Sequence, residues 1–141
     1  MDREELAAWR GFLETHARLV RELDEELRRA HNLPLSSYDV LTTLESAADR
    51  RMRMRELADA ILLSRSGLTR LVDRLVREGF VVREECEDDA RGAFAVLTDA
   101  GLAALRGARP THHTGVRRRF LSRLGPGEAA RLGEAWARIN T

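Results

Sequence analysis

The 141-residue chain contains no lysine, so all 24 of its basic residues are arginine. The excess reaches every segment beside abundant alanine, which marks a GC-rich coding bias and carries no functional weight. One cysteine, Cys86, excludes an internal disulfide and suits the cytoplasm. No apolar run approaches a membrane span, and the start Met1-Asp2-Arg3-Glu4-Glu5 is too acidic for a signal peptide, so no membrane partner is expected. The chain also lacks a glycine-rich phosphate loop, a nucleophile elbow and metal-ligand spacing, which argues against an enzyme and against any cofactor. Its Asp and Glu residues fall beside Arg on outward helix faces, as in ordinary pairing. His112 and His113 are adjacent, so on a helix their rings point about 100° apart and do not share a metal ion. Glu84, Glu85, Glu87 and Asp88 surround Cys86 and raise its thiol pKa, which favours a structural cysteine over a reactive one.

What the chain does have is concentrated in its middle. Residues 1–49 carry six Arg against eleven acids, residues 50–83 carry nine against four, and residues 84–141 carry nine against eight. A basic middle third inside a chain of net charge +1 is an electrostatic footprint for phosphate. Within and beside it runs Ser64-Arg65-Ser66-Gly67-Leu68-Thr69-Arg70-Leu71-Val72-Asp73-Arg74-Leu75-Val76-Arg77-Glu78-Gly79. Leu68, Leu71, Val72, Leu75 and Val76 form one apolar helical face; Ser66, Thr69, Arg70, Asp73, Arg74 and Arg77 form the other. Short hydroxyls followed by Arg suit a helix entering a DNA major groove by its N-terminal end. After Gly79, two strand-like runs, Phe80–Glu84 and Phe94–Leu97, flank a polar tip that holds Cys86 to Gly92. The pattern is a recognition helix followed by a wing.

The flanks read as helices. Leu6, Trp9, Leu13, His16, Val20, Leu23 and Leu27 repeat as a heptad seam over residues 3–30, widened by Phe12 and Leu19. Such a seam suggests a subunit interface, with a second long helix of the same chain as the alternative partner. Leu33-Pro34-Leu35 breaks this helix, and Ser36 or Ser37 is placed to cap the next, which runs to about Ser46 with Tyr38, Val40, Leu41 and Leu44 inward. Residues 47–53 form a basic loop ending in a short strand at Arg51-Met52-Arg53. Residues 54–61 form a short helix before the recognition helix, in helix-turn-helix spacing. Thr98 caps a further helix whose Pro110 predicts a kink or break near Ala108-Arg109. Gly125-Pro126-Gly127 turns into a last helix, with Pro126 near its first position and Ala129, Leu132, Trp136 and Ile139 on its buried face. Arg117-Arg118-Arg119 is mostly solvated, with one Arg placed to pair with the acidic first helix.

Two stretches in this order resemble the MarR family of bacterial transcription regulators: Glu56-Leu57-Ala58 with Leu63 to Leu75, and Asp89-Ala90-Arg91-Gly92-Ala93-Phe94-Ala95-Val96-Leu97-Thr98. The resemblance extends from about Leu6 to Ile139 and departs at Ala95, where the family usually has Val. It implies a mainly helical α+β fold, a single domain over 1–141. A winged helix-turn-helix would occupy 35–98, with its wing at 80–98, and helices 3–30 and 99–141 would interlock in a homodimer. The partner is then double-stranded DNA, read as a pseudo-palindromic operator by a ligand-responsive repressor. The implied DNA contacts are Ser37, Arg65, Ser66, Thr69, Arg70, Arg74 and the wing pair Asp89 and Arg91, with Asp89 holding the Arg91 guanidinium. A small aromatic anion is the implied effector, drawn to Trp9, Phe12, His16, Tyr38, His113 and Arg117 as aromatic walls with a cation. The competing expectation is a winged-helix module that meets an acidic protein and has no sequence-specific DNA binding.

Overall fold

The computed structural model describes residues 1–61, 63, 65–85 and 92–141, with Arg65 described by its backbone alone. Helix α1 (Arg3–His31) opens on a capping box. Asp2 Oδ1 accepts from the Glu5 N–H and Glu5 Oε2 accepts from the Asp2 N–H, both at 2.8 Å. It stops at Asn32, whose left-handed φ of 51° turns the chain. Helix α2 (Leu35–Ser46) follows Pro34 directly, and neither serine caps it. Instead, Asp24 Oδ1 of α1 accepts the Leu35 N–H at 2.9 Å. A carboxylate at a helix N-terminus also meets the positive end of the helix dipole, and the substitution frees Ser37 for the interior.

A one-turn 3-10 helix (Ala48–Arg50) leads into strand β1 (Arg51–Arg53), then α3 (Met54–Ala60) and α4 (Arg65–Arg77). Strands β2 (Val81–Glu85) and β3 (Ala93–Leu97) complete an antiparallel sheet in the order β1-β3-β2, with Val96 between Arg51 and Val82. Gly79 turns the chain out of α4 with φ of 79°. A Cβ on Gly101 would lie 2.2 Å from the Phe80 carbonyl oxygen, so only glycine lets the next helix start against the sheet.

Helix α5 (Asp99–Arg119) is capped as expected: Thr98 Oγ1 accepts from the Gly101 N–H at 3.0 Å and donates to the Gly79 carbonyl at 2.7 Å. Of the kink or break expected at Pro110, the break does not occur: the helix is continuous through it. Pro110 and Arg106 lie on the exposed side, where water can serve the Arg106 carbonyl that lost its donor. Buried Leu105, Ala108 and Gly115 hold the opposite side in place. Helix α6 (Glu128–Ile139) starts after Gly127, so Pro126 sits before its cap rather than at its first position. None of its residues is buried, contrary to the expected inner face.

The core belongs to the middle of the chain. Leu27, Leu41, Leu44, Leu57, Leu68, Val72, Leu75, Val81, Ala95, Leu102 and Leu105 close over one another across α1, α2, α3, α4, the sheet and α5. The α1–α5 contact is also ionic. Arg119 lies 3.6 Å from Glu22 and 3.2 Å from Glu26, and Arg118 lies 3.2 Å from Glu26. The pairing expected of one arginine thus involves two. No described helix is long and apolar enough to cross a membrane.

Candidate nucleic-acid interface

Leu68, Leu71, Val72 and Leu75 pin α4 to the core, so its phase is fixed by burial. Val76, expected on the same face, sits at its margin, 39% exposed. Ser66, Thr69, Arg70 and Arg77 occupy the exposed face, as the sequence predicts. Arg70 and Arg77 enter no hydrogen bond or ion pair among the described residues, so their guanidinium donors are available to an external acceptor. Five planar N–H donors in a fixed fork match the paired acceptors of guanine or a phosphate.

Two polar residues of α4 have internal work. Asp73 pairs with Arg83 of β2 at 2.9 Å, and Arg83 also donates to the Thr69 carbonyl at 3.5 Å. The first wing strand is thereby clamped to the helix. Arg74 Nη2 donates to Ser37 Oγ at 2.9 Å, and its Nε lies 3.7 Å from Glu78 Oε1. Ser37 is fully enclosed, which corrects its expected role as a direct DNA contact: the hydroxyl faces α4, and water or DNA does not reach it. Asp89 and Arg91, like Cys86, lie outside the described residues, and so does the side chain of Arg65.

The sheet adds a feature that the sequence reading missed. The Arg51 and Arg53 guanidinium groups lie 4.2 and 5.1 Å from the centre of the Phe94 ring, and Arg51 pairs with Glu84 at 3.0 Å. The sequence marked a basic loop and a strand here, but the partner was fixed by register, with Arg53 opposite Phe94.

The expected effector residues fall into two groups by ring contact. Trp9, Phe12 and His16 of α1 form a run with 5.9 and 6.1 Å between ring centres, and Phe12 reaches Trp136 of α6 at 5.4 Å. Tyr38 is buried elsewhere, against α5, with its ring 4.4 Å from His112 rather than His113. His113 and Arg117 point outward. Helical phase carried this signal: Leu105, Ala108 and position 112 share the inner stripe, and position 113 does not. Beside the pair, Arg109 bonds Glu45 and is further held in its charged form by Tyr38. Burial, then the neighbouring His113, pushes the His112 pKa down, while Glu26 opposes this.

The comparisons with known proteins agree with this geometry. The sequence profile of the MarR family matches residues 31–92, from the end of α1 through α4 and β2, stopping before β3. The fold is similar to the crystal structure of AbsC, a MarR family transcriptional regulator from Streptomyces coelicolor. The TM-score is 0.89 at 36% identity, covering 99% of this chain and 94% of that one. It is similar also to Sco3205, a MarR family transcriptional regulator from the same organism solved in complex with DNA. Here the TM-score is 0.90 at 38% identity, covering 99% of this chain and 88% of that one. The transcriptional repressor MprA of Escherichia coli is 28% identical over 110 residues, which span 78% of this chain and 62% of that protein. The chain belongs to the MarR family of transcriptional regulators.

Proposed function

We propose that this protein is a homodimeric, sequence-specific DNA-binding repressor. The observation that carries the reading is the outer face of α4. Thr69, Arg70 and Arg77 are presented on a helix whose opposite face is locked in the core and whose wing strand is clamped by Asp73 and Arg83. The related Sco3205, similar over nearly the whole chain, was solved with DNA bound. In this reading α4 enters the major groove, where Arg70 reads base edges, and Asp89 and Arg91 remain candidate DNA contacts. Two copies join through the apolar side of α1 and α6 and read a pseudo-palindrome with half-sites about 10 base pairs apart. A flat aromatic carboxylate or phenolate would act at the junction of α2 and α5, where the Tyr38 and His112 rings meet at a tilt beside Arg109. Trp9, Phe12 and His16 belong to the dimer face instead.

The test is selection of a duplex from a randomised pool, followed by competition against random duplex at two salt concentrations. The selected duplex should bind about a thousandfold tighter than the random one, with a salt dependence that counts the phosphate contacts. Equal binding to both would replace the repressor with a non-specific or protein-binding module. For the effector, salicylate-like compounds should change Trp fluorescence and release DNA together; no response at millimolar concentration rejects the aromatic anion.

A further inference from the structure

Ser37 is a polar side chain sealed in the interior, with no solvent access. Its hydroxyl does not cap its own helix, because Asp24 already serves the start of α2. It accepts instead from Arg74 Nη2 of α4, across 37 residues of sequence. Arg74 Nε is buried without a hydrogen-bond partner among the described residues, and Glu78 stands 3.7 Å away. Yet the side chain keeps 39% of its exposure. The guanidinium is therefore gripped on one edge, while the donors of Nη1 remain uncommitted. The grip is itself fixed. On either side of Ser37, the Leu35 N–H is held by Asp24 of α1 and the Tyr38 ring packs at a tilt against His112 of α5. A long arginine normally surrenders rotamer freedom when it meets its target, and a group anchored beforehand surrenders less.

We propose that Ser37 is a positioning residue for DNA recognition: its buried hydroxyl orients Arg74 so that the remaining donors of that guanidinium meet the DNA. The assignment rests on the DNA-binding reading above and moves part of the specificity from α4 to the first turn of α2. It explains why a small hydroxyl residue occupies a site otherwise suited to alanine, whose apolar Cβ would leave the Arg74 edge without an acceptor.

The experiment is a double-mutant cycle with Ser37→Ala, Arg74→Ala and the double variant. Affinities are measured for a duplex selected by the wild-type protein from a randomised pool, and for random duplex of equal length. Circular dichroism melting checks that each variant is folded. Ser37→Ala should weaken the selected duplex about tenfold and add less than about twofold once Arg74 is already Ala. Ser37→Cys, a slightly larger side chain that fills the site but accepts hydrogen bonds weakly, should repeat the loss, so the cycle stands even if the alanine variant is unstable. Losses that multiply in the double variant, or wild-type affinity in both Ser37 variants, would overturn the positioning role while leaving the DNA-binding reading intact. A pool from which no sequence is enriched counts against that reading, and the positioning role falls with it.

Discussion

The lobe built from residues 35–108 and the helices at the two ends bury their apolar residues in different ways. In the lobe, apolar side chains of α2, α3, α4, the first half of α5 and the sheet close over one another and over Leu27 of α1, with Leu41, Leu57, Leu75 and Val81 fully enclosed. At the ends, Leu6, Trp9, Phe12, Leu13 and Val20 of α1 and Trp136 and Ile139 of α6 stay exposed. Both sets repeat at helical spacing, so periodicity alone does not separate them. What separates them is whether the chain supplies the opposite surface. The lobe is complete within one copy, whereas the end helices carry exposed large apolar side chains, with Phe12 of α1 against Trp136 of α6, of the kind that marks an interface.

The difference can be broken most severely at the ends. Removal of residues 1–20, or of everything after Gly125, should abolish dimers and binding to the selected duplex together, read by sedimentation and gel shift. Within the lobe, Leu75→Ala should cost about 2–5 kcal/mol of stability in chemical denaturation. Leu13→Ala should cost each chain little and act on association, visible as a weaker dependence of the melting temperature on protein concentration. At the DNA face, Arg70→Ala should remove about 1–3 kcal/mol on the selected duplex and little on random DNA; equal losses would make Arg70 a phosphate contact.

The smallest effect concerns pH. Burial holds His112 below its ordinary value, so the unfolded chain takes up its proton first as pH falls. Stability from neutral His112 is present above the unfolded value, about 6.5, and is lost as pH drops toward the folded one. Between pH 7.5 and 5.5 the wild-type melting temperature should therefore fall further than that of His112→Gln.

The order of elements was legible because each carried its own local signal: the Thr98 cap, the Gly79 stop, the heptad in α1 and the amphipathic run of α4. Errors arose where a partner distant in sequence decided the outcome. Ser37 has the chemistry of a cap, but Asp24 arrives first and α4 claims the hydroxyl. Pro110 carries a break signal that packing on the other side of α5 overrides. Trp136 and Ile139 form the expected apolar stripe of α6 but stay exposed in one copy, because hydrophobic phase marks a face without saying which molecule covers it. At the candidate site, the exposed Ser66, Thr69 and Arg70 were found from phase, while the engagement of Arg74 and Asp73 inside the protein required the tertiary contacts.

In the proposed assembly two copies, joined through α1 and α6, read one DNA site. Analytical ultracentrifugation of the free protein and of its complex with the selected duplex decides this by mass. A dimer gives a free species of twice the 15.9 kDa chain mass and a complex with two chains per duplex. A free protein of single-chain mass that binds the full duplex one to one, with affinity unchanged by Leu13→Glu, would contradict it.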